Sequence, residues 1–181
     1  MLNYLKKVND WLNANPNEVL TLILTNPENV SLQNFWKPAF EQSGVASLAY
    51  VPPHLPMKQN EVRLLPLDPA PRAPCLTSRA PQWPTLGQLI DSGKRVVVFL
   101  DNGADDDRSV PYLLPQFSNV WETPFSVTDD SFPCKVDRTK GPLAPADQMY
   151  MINHSLNKDV FGTGIIVSDP LDASTTNGID S

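Results

Sequence analysis

Arg95-Val96-Val97-Val98-Phe99-Leu100-Asp101 is the stretch on which the fold turns. It is an unbroken apolar run rich in β-branched residues and too short to make a helix, so it reads as a strand buried on both faces. Just upstream, Thr85 is placed to cap a short helix bearing Leu86, Leu89 and Ile90, and Gly93 ends it. The start of the chain has the same grammar. Leu5, Val8 and Leu12, with Met1, Tyr4 and Trp11 beside them, recur at helical spacing until Asn15-Pro16 stops the helix. Val19-Leu20-Thr21-Leu22-Ile23-Leu24-Thr25 then reads as a second strand covered on both sides, and Ser31 opens a helix whose Leu32, Phe35, Trp36, Ala39 and Phe40 share a face before Gly44. Helix and strand alternate, so the fold class is α/β with mostly parallel strands.

Beyond Asp101 the pattern loosens. Asp105-Asp106-Asp107 reads as a solvated turn in preference to a metal site, and residues 119–123 and 149–153 read as two more short strands. Between those strands lies a long loop holding Cys134, Pro142 and Pro145, a candidate lid or rim. A last apolar patch, Ile165-Ile166-Val167, precedes a polar end, residues 174–181, expected to be disordered.

A chain of 181 residues with 41% apolar residues can bury one substantial core. Its net charge of -6 opposes binding to nucleic acid or anionic lipid, so no nucleic-acid partner is expected. No stretch approaches the roughly 18 apolar residues of a bilayer span, and the first ten residues make an amphipathic segment and not a signal peptide. Cys75 and Cys134 fit neither a metal cluster nor a disulfide scaffold. Asn29 and Asn153 each begin an Asn-x-Ser triplet, a glycosylation acceptor in a secreted chain.

Residues 62–82, VRLLPLDPAPRAPCLTSRAPQ, have neither helical nor strand period and hold five of the nineteen prolines. A valine codon begins with GT, a glutamine codon can be CAG, and Leu76-Thr77 can encode a branch-point-like CTNAC. The segment therefore reads as a translated intron whose removal joins Glu61 to Trp83. The alternative is a genuine proline-rich surface insertion.

The strings Tyr4-Leu5-Lys6-Lys7-Val8, Trp11-Leu12, Asn15-Pro16-Asn17-Glu18-Val19 and Leu22 to Asn26 are followed in order by Trp83-Pro84-Thr85-Leu86, Leu89-Ile90 and the 95–101 run. Glu122-Thr123-Pro124-Phe125, Ser131-Phe132-Pro133-Cys134, Asp137-Arg138 and Met149-Tyr150-Met151-Ile152-Asn153-His154 continue the series. Together they resemble fungal members of the phosphatidylinositol-specific phospholipase C-like phosphodiesterases, over nearly all of the chain except the insert. The resemblance implies a TIM-type (β/α) barrel, of which residues 1–173 would be the C-terminal part. In that fold the chemistry sits at the C-terminal ends of the strands, which points to Thr25, Asn26, Asp101, Glu122, Asn153 and His154 as mouth residues.

The family's reaction, as the resemblance implies it, uses one histidine as base on the attacking hydroxyl and a second as acid on the leaving oxygen. Both belong to early strands, expected upstream of Met1, and the two histidines present do not replace them. His54 lies in a proline-rich loop, and His154 alone cannot serve as base and acid. The chain is thus expected to be part of a phosphoric diester hydrolase acting on a phospholipid headgroup or related diester, inactive by itself. As a piece of a barrel that needs about eight strands and about 250 residues it would expose strand edges. A mispredicted gene, with an internal start and a retained intron, would give both features. No cofactor is implied, and relatives differ in calcium use. The longer protein is expected to be secreted or at the cell surface. A non-catalytic ligand- or glycan-binding barrel is the rival reading, and nucleotide binding through Gly162-Thr163-Gly164 is a weak third.

Overall fold

The computed structural model describes residues 1–58, 82–171 and 173–176. Cys75 and all of the 62–82 segment except Gln82 lie outside them, as do residues 177–181. The described elements are mixed α/β, with a three-stranded and a two-stranded parallel sheet and one antiparallel hairpin, and they form no closed barrel.

Helix α1 (Leu2–Ala14) buries Leu5, Val8 and Leu12, while Met1, Tyr4 and Trp11 stay largely exposed, so the buried stripe is narrower than the spacing implied. After Pro16 the chain enters β1 (Leu20–Leu24). A π-helical turn (Leu32–Trp36), capped by Ser31 Oγ accepting the Asn34 N–H at 3.2 Å, runs into α2 (Lys37–Ser43), and Gly44 ends α2 with φ +83°. The wider π turn shifts the facing of its residues, which accounts for Phe35 lying exposed while Leu32, Trp36 and Phe40 are buried. Helix α3 (Val45–Leu48) follows, and α4 (Leu86–Asp91) starts with a reciprocal capping box between Thr85 and Gln88.

Strand β2 (Val96–Leu100) is the centre of the molecule, pairing in parallel with β1 on one side and with β3 (Leu113–Pro115) on the other. Val96, Val98 and Leu100 face α1 and α2 in one apolar cluster, and Val97 and Phe99 face Leu89, Leu114 and Val120 in a second. Every residue of β2 is buried, as its unbroken apolar run requires.

β1 departs from the sequence expectation. Only Leu22 is buried, and Ile23 is 41% exposed, because β1 is the edge of the three-stranded sheet and its second face has little cover. Arg95, itself buried, joins the two layers: its Nη1 donates to the carbonyls of Leu12 and Asn15 at 3.0 and 2.9 Å and satisfies the end of α1.

A short helix α5 (Gln116–Asn119) leads into β4 (Val120–Glu122), which pairs in parallel with β5 (Met149–Met151). β3 and α5 were not legible as separate elements in the sequence. The C-terminal residues form the antiparallel hairpin β6 (Asn157–Asp159) and β7 (Ile166–Ser168), then a short helix α6 (Ala173–Thr176) that runs into the 174–181 span expected to be disordered. The Gly162–Gly164 stretch belongs to the hairpin loop, where the Gly164 N–H donates to the Asp159 carboxylate at 3.0 Å. A carboxylate thus occupies the amide that a bound phosphate would need, which removes the nucleotide reading.

Candidate active-site cleft

Parallel strands bring their C-terminal ends to one side, and there they frame a cleft of about 360 Å³. Thr25 follows β1, Asp101 follows β2, Gln116 follows β3, Glu122 ends β4, and Asn153 lies just past β5. Four of the six mouth residues expected from sequence, Thr25, Asp101, Glu122 and Asn153, line it together.

Glu122 is the centre of the cleft and is 1% exposed. A buried carboxylate survives only when paired and hydrogen-bonded, and this one is. Arg138 Nη2 donates to its Oε2 at 2.6 Å, Asn153 Nδ2 donates to the same oxygen at 3.0 Å, and Gln116 Nε2 donates to Oε1. Such a carboxylate is an acceptor that fixes its neighbours in place. Arg138 lies between two rings, its guanidinium carbon 4.9 Å from the centroid of Phe117 and 4.2 Å from that of Phe125. Its Nε is buried with no partner among the described residues, so the guanidinium retains donor capacity beyond the Glu122 pair. Asp101 is half-buried, and its Oδ1 accepts the Asn26 N–H at 2.7 Å.

Arg138 was missed as a site residue. The signal was present in Asp137-Arg138 within the long loop, but only the fold shows where it lands. The second half of that loop is pinned along the rim: Glu122 and Arg138 exchange backbone bonds, Lys140 N–H reaches Phe117 O at 2.7 Å, and the buried Gln148 holds Phe117 O and Thr139.

Two expected mouth residues are elsewhere. Asn26, 2% exposed, staples the loops after β1 and β2 through Val30 and Asn102. Its side-chain groups are spent on backbone. His154 points away from the cleft, its ring 4.5 Å from that of Phe132 and its Nε2 2.8 Å from Thr176 O, beside a separate cavity of about 440 Å³. His54 is exposed in the 53–56 bend. Of the two glycosylation acceptors, Asn29 is exposed in a turn with φ +49°, whereas Asn153 Nδ2 is engaged with Glu122 and Thr123 O. A glycan on Asn153 would replace one of the two Nδ2 hydrogens and so remove at least one of these bonds.

Among the described residues no three His, Cys, Asp or Glu side chains gather as a metal cage. The acidic turn disperses: Asp105 pairs with Lys140 at 3.1 Å, while Asp107 is held below the usual carboxylate range by hydrogen bonds from the Ser109 side chain and backbone. Cys134 is exposed and forms no disulfide among the described residues.

The PI-PLC X family model, described as PI-PLC X 1, matches residues 1–63 and 73–181. The chain belongs to the PI-PLC X family. It is 39% identical over 176 residues to the PI-PLC X domain-containing protein 1 of Arthroderma benhamiae, covering 97% of this chain and 49% of that protein. A second protein of the same fungus, named an uncharacterized secreted protein, is 38% identical over 182 residues, covering 98% of this chain and 36% of the relative. The chain thus spans about half, or less, of the length of these relatives. No solved structure matches it. The break in the family match, between residues 63 and 73, falls inside the proline-rich segment. No helix among the described residues is long and apolar enough to cross a membrane.

Proposed function

We propose that the chain is the later part of a TIM-type (β/α) barrel in a PI-PLC-like phosphodiesterase, and that the Glu122–Arg138 cleft receives the phosphate-bearing headgroup of a phospholipid or similar diester. The observation that carries this reading is convergence. Thr25, Asp101, Glu122 and Asn153 come from four strand ends to one cleft that also holds a ring-sandwiched arginine. An arginine fixed by a carboxylate presents its remaining N–H groups in a set direction, which suits a phosphate oxygen. Asp101 and Asn153 supply polar edges for headgroup hydroxyls.

Diester cleavage also needs a group to take a proton from the attacking hydroxyl and one to return a proton to the leaving oxygen. Neither His54 nor His154 lines the cleft. The chain by itself therefore binds and orients, and turnover belongs to a longer protein, secreted or at the cell surface, on which Asn29 is the accessible glycan acceptor. A binding module that never turns its ligand over is the second reading, supported by the same absence of imidazole from the cleft lining. Activity of a longer polypeptide containing the chain separates the two.

Titration of the purified chain with myo-inositol 1-phosphate tests the assignment. Arg138→Gln is expected to weaken binding about tenfold or more, the scale of one hydrogen bond to a charged group, with no inositol phosphate released from phosphatidylinositol. Equal binding by the variant defeats the cleft assignment, and turnover that His154→Ala abolishes defeats the division of labour. The interrupted family match supports an insertion within residues 62–82. Transcript sequence across codons 61–83 tests whether it is a retained intron.

A further inference from the structure

Asn102-Gly103 is the one Asn-Gly pair among the described residues, and it directly follows Asp101 in the loop after β2. Asparagine is among the chemically labile residues. It is most so before glycine, whose missing side chain leaves the following amide nitrogen open to reach the asparagine side-chain carbonyl. We infer that Asn102 is a self-modifying site, which loses ammonia in the folded chain and becomes aspartate and isoaspartate at the mouth of the cleft.

The loop leaves the reacting groups open while it holds the backbone around them. Asn102 is exposed, and its Nδ2 reaches only Asn26 O, at 3.4 Å, a long contact for a hydrogen bond. The Gly103 N–H donates no hydrogen bond among the described residues. On either side, Asn102 O accepts Asn26 Nδ2 at 3.3 Å, and Gly103 O accepts the Asp107 N–H at 3.1 Å. A bulkier residue at 103 would slow the reaction, but the fold has no room for one. Gly103 has φ +91°, and a Cβ there would lie 2.8 Å from Asn29 Oδ1. The turn after Asp101 thus requires the glycine that makes Asn102 labile.

The chemistry needs no second reactant but water. Hydroxide removes the Gly103 amide proton, and the nitrogen attacks Asn102 Cγ. The N–Cγ bond forms, the Cγ–Nδ2 bond breaks, and the leaving amide takes a proton from water to depart as ammonia. Water then opens the cyclic imide. Opening at the side-chain carbonyl gives aspartate, and opening at the main-chain carbonyl gives isoaspartate, with the backbone routed through the former side chain. Either product adds one negative charge next to Asp101 and removes the amide that faced Asn26 O. A phosphate-bearing ligand is then held more weakly, so the cleft is turned down as the protein ages. That consequence rests on the cleft reading. The modification itself does not, because it is read by mass without any ligand.

The test is a tryptic map of the whole chain after incubation at mildly alkaline pH. Asn102 is the only asparagine in the peptide 96–108, and the other Asn-Gly pair of the sequence, Asn177-Gly178, falls in the peptide 159–181, so the two are read apart. Peptide 96–108 from the folded chain is expected to gain the mass that exchanging NH2 for OH adds, to split into aspartate and isoaspartate forms, and to do so faster as pH rises. Asn102→Gln is expected to abolish the change, because glutamine must close a larger ring. If that variant loses its fold, the wild-type map still locates the product by fragmentation. An unmodified 96–108 peptide from the folded chain, over the time in which the urea-unfolded chain converts, overturns the inference. In the myo-inositol 1-phosphate titration, Asn102→Asp is expected to bind about two- to threefold more weakly than Asn102→Gln, the scale of one added charge several ångströms away in water. Equal binding by the two overturns the effect on the cleft, and if no form binds, the cleft reading has failed and the peptide map alone decides the modification.

Discussion

β2 and β7 are built from the same kind of residue and end in opposite environments. Every residue of β2 is buried, whereas every residue of β7 is exposed. A β-branched run sets extended backbone, but burial depends on what lies over each face. β2 has helices on one face and a second apolar cluster on the other. Among the described residues β7 has a single neighbour, β6, and no layer above it. The difference divides the molecule: the helices and the three-stranded sheet are held by apolar packing, and the part beyond β3 is held largely by polar staples that converge on Glu122 and ends in a hairpin facing outward.

The largest effect should come from cutting into the packed part. Phe40 is fully buried and its ring lies 5.5 Å from that of Tyr112. Phe40→Ala should cost about 3–5 kcal/mol in urea unfolding. A loss below about 1 kcal/mol would show that this layer is not the stabilising core.

A smaller effect is expected at alkaline pH from the same layer. Burial, with a lesser push from the Glu41 charge, raises the Tyr112 phenol from its ordinary 10.0 to about 12, and its hydroxyl has no partner among the described residues. The neutral phenol is the form the folded state keeps. Its contribution is therefore complete below pH 10 and is lost as pH rises through about 12, a loss of about 2–3 kcal/mol at 1.36 kcal/mol per unit. Tyr112→Phe should remove that alkaline slope while leaving neutral-pH stability unchanged or up by less than about 1 kcal/mol. A variant that keeps the slope assigns it to another group.

The smallest effect belongs to the exposed strand. Ile166→Ser should change stability by less than about 0.5 kcal/mol, and a loss approaching that of Phe40→Ala would mean that β7 has a cover the fold does not show.

How far the sequence could be read follows the same division. α1, β1, α2, α4 and β2 were legible because periodicity, Pro16, Ser31, Gly44, Thr85 and Gly93 are local signals acting within a few residues. The parallel sheet followed from their alternation. β3 and α5 were missed because Leu113–Asn119 packs a three-residue strand and a four-residue helix end to end, each too short for a period to show. The exposure of Ile23 was missed because strand composition carries no record of which strand forms the edge.

At the cleft, Thr25, Asp101, Glu122 and Asn153 were found by the rule that strand ends share a mouth. Asn26 and His154 obeyed the same rule and failed it, since Asn26 turned to loop backbone and His154 stacked on Phe132. Arg138 could not be ranked from sequence, because its meaning lies in contacts with Phe117, Glu122 and Phe125.

By itself the sequence determined the α/β alternation, the fully buried β2, the family and most of the residues at the strand ends. Those features depend on interactions between near neighbours or on motifs that survive in order along the chain. Tertiary structure alone decided that Glu122 is held by Gln116, Arg138 and Asn153, that neither histidine reaches the cleft, and that the last apolar run points outward. Each of these is set by which distant segments meet, and residue identity fixes what a side chain can do but not what it will find opposite.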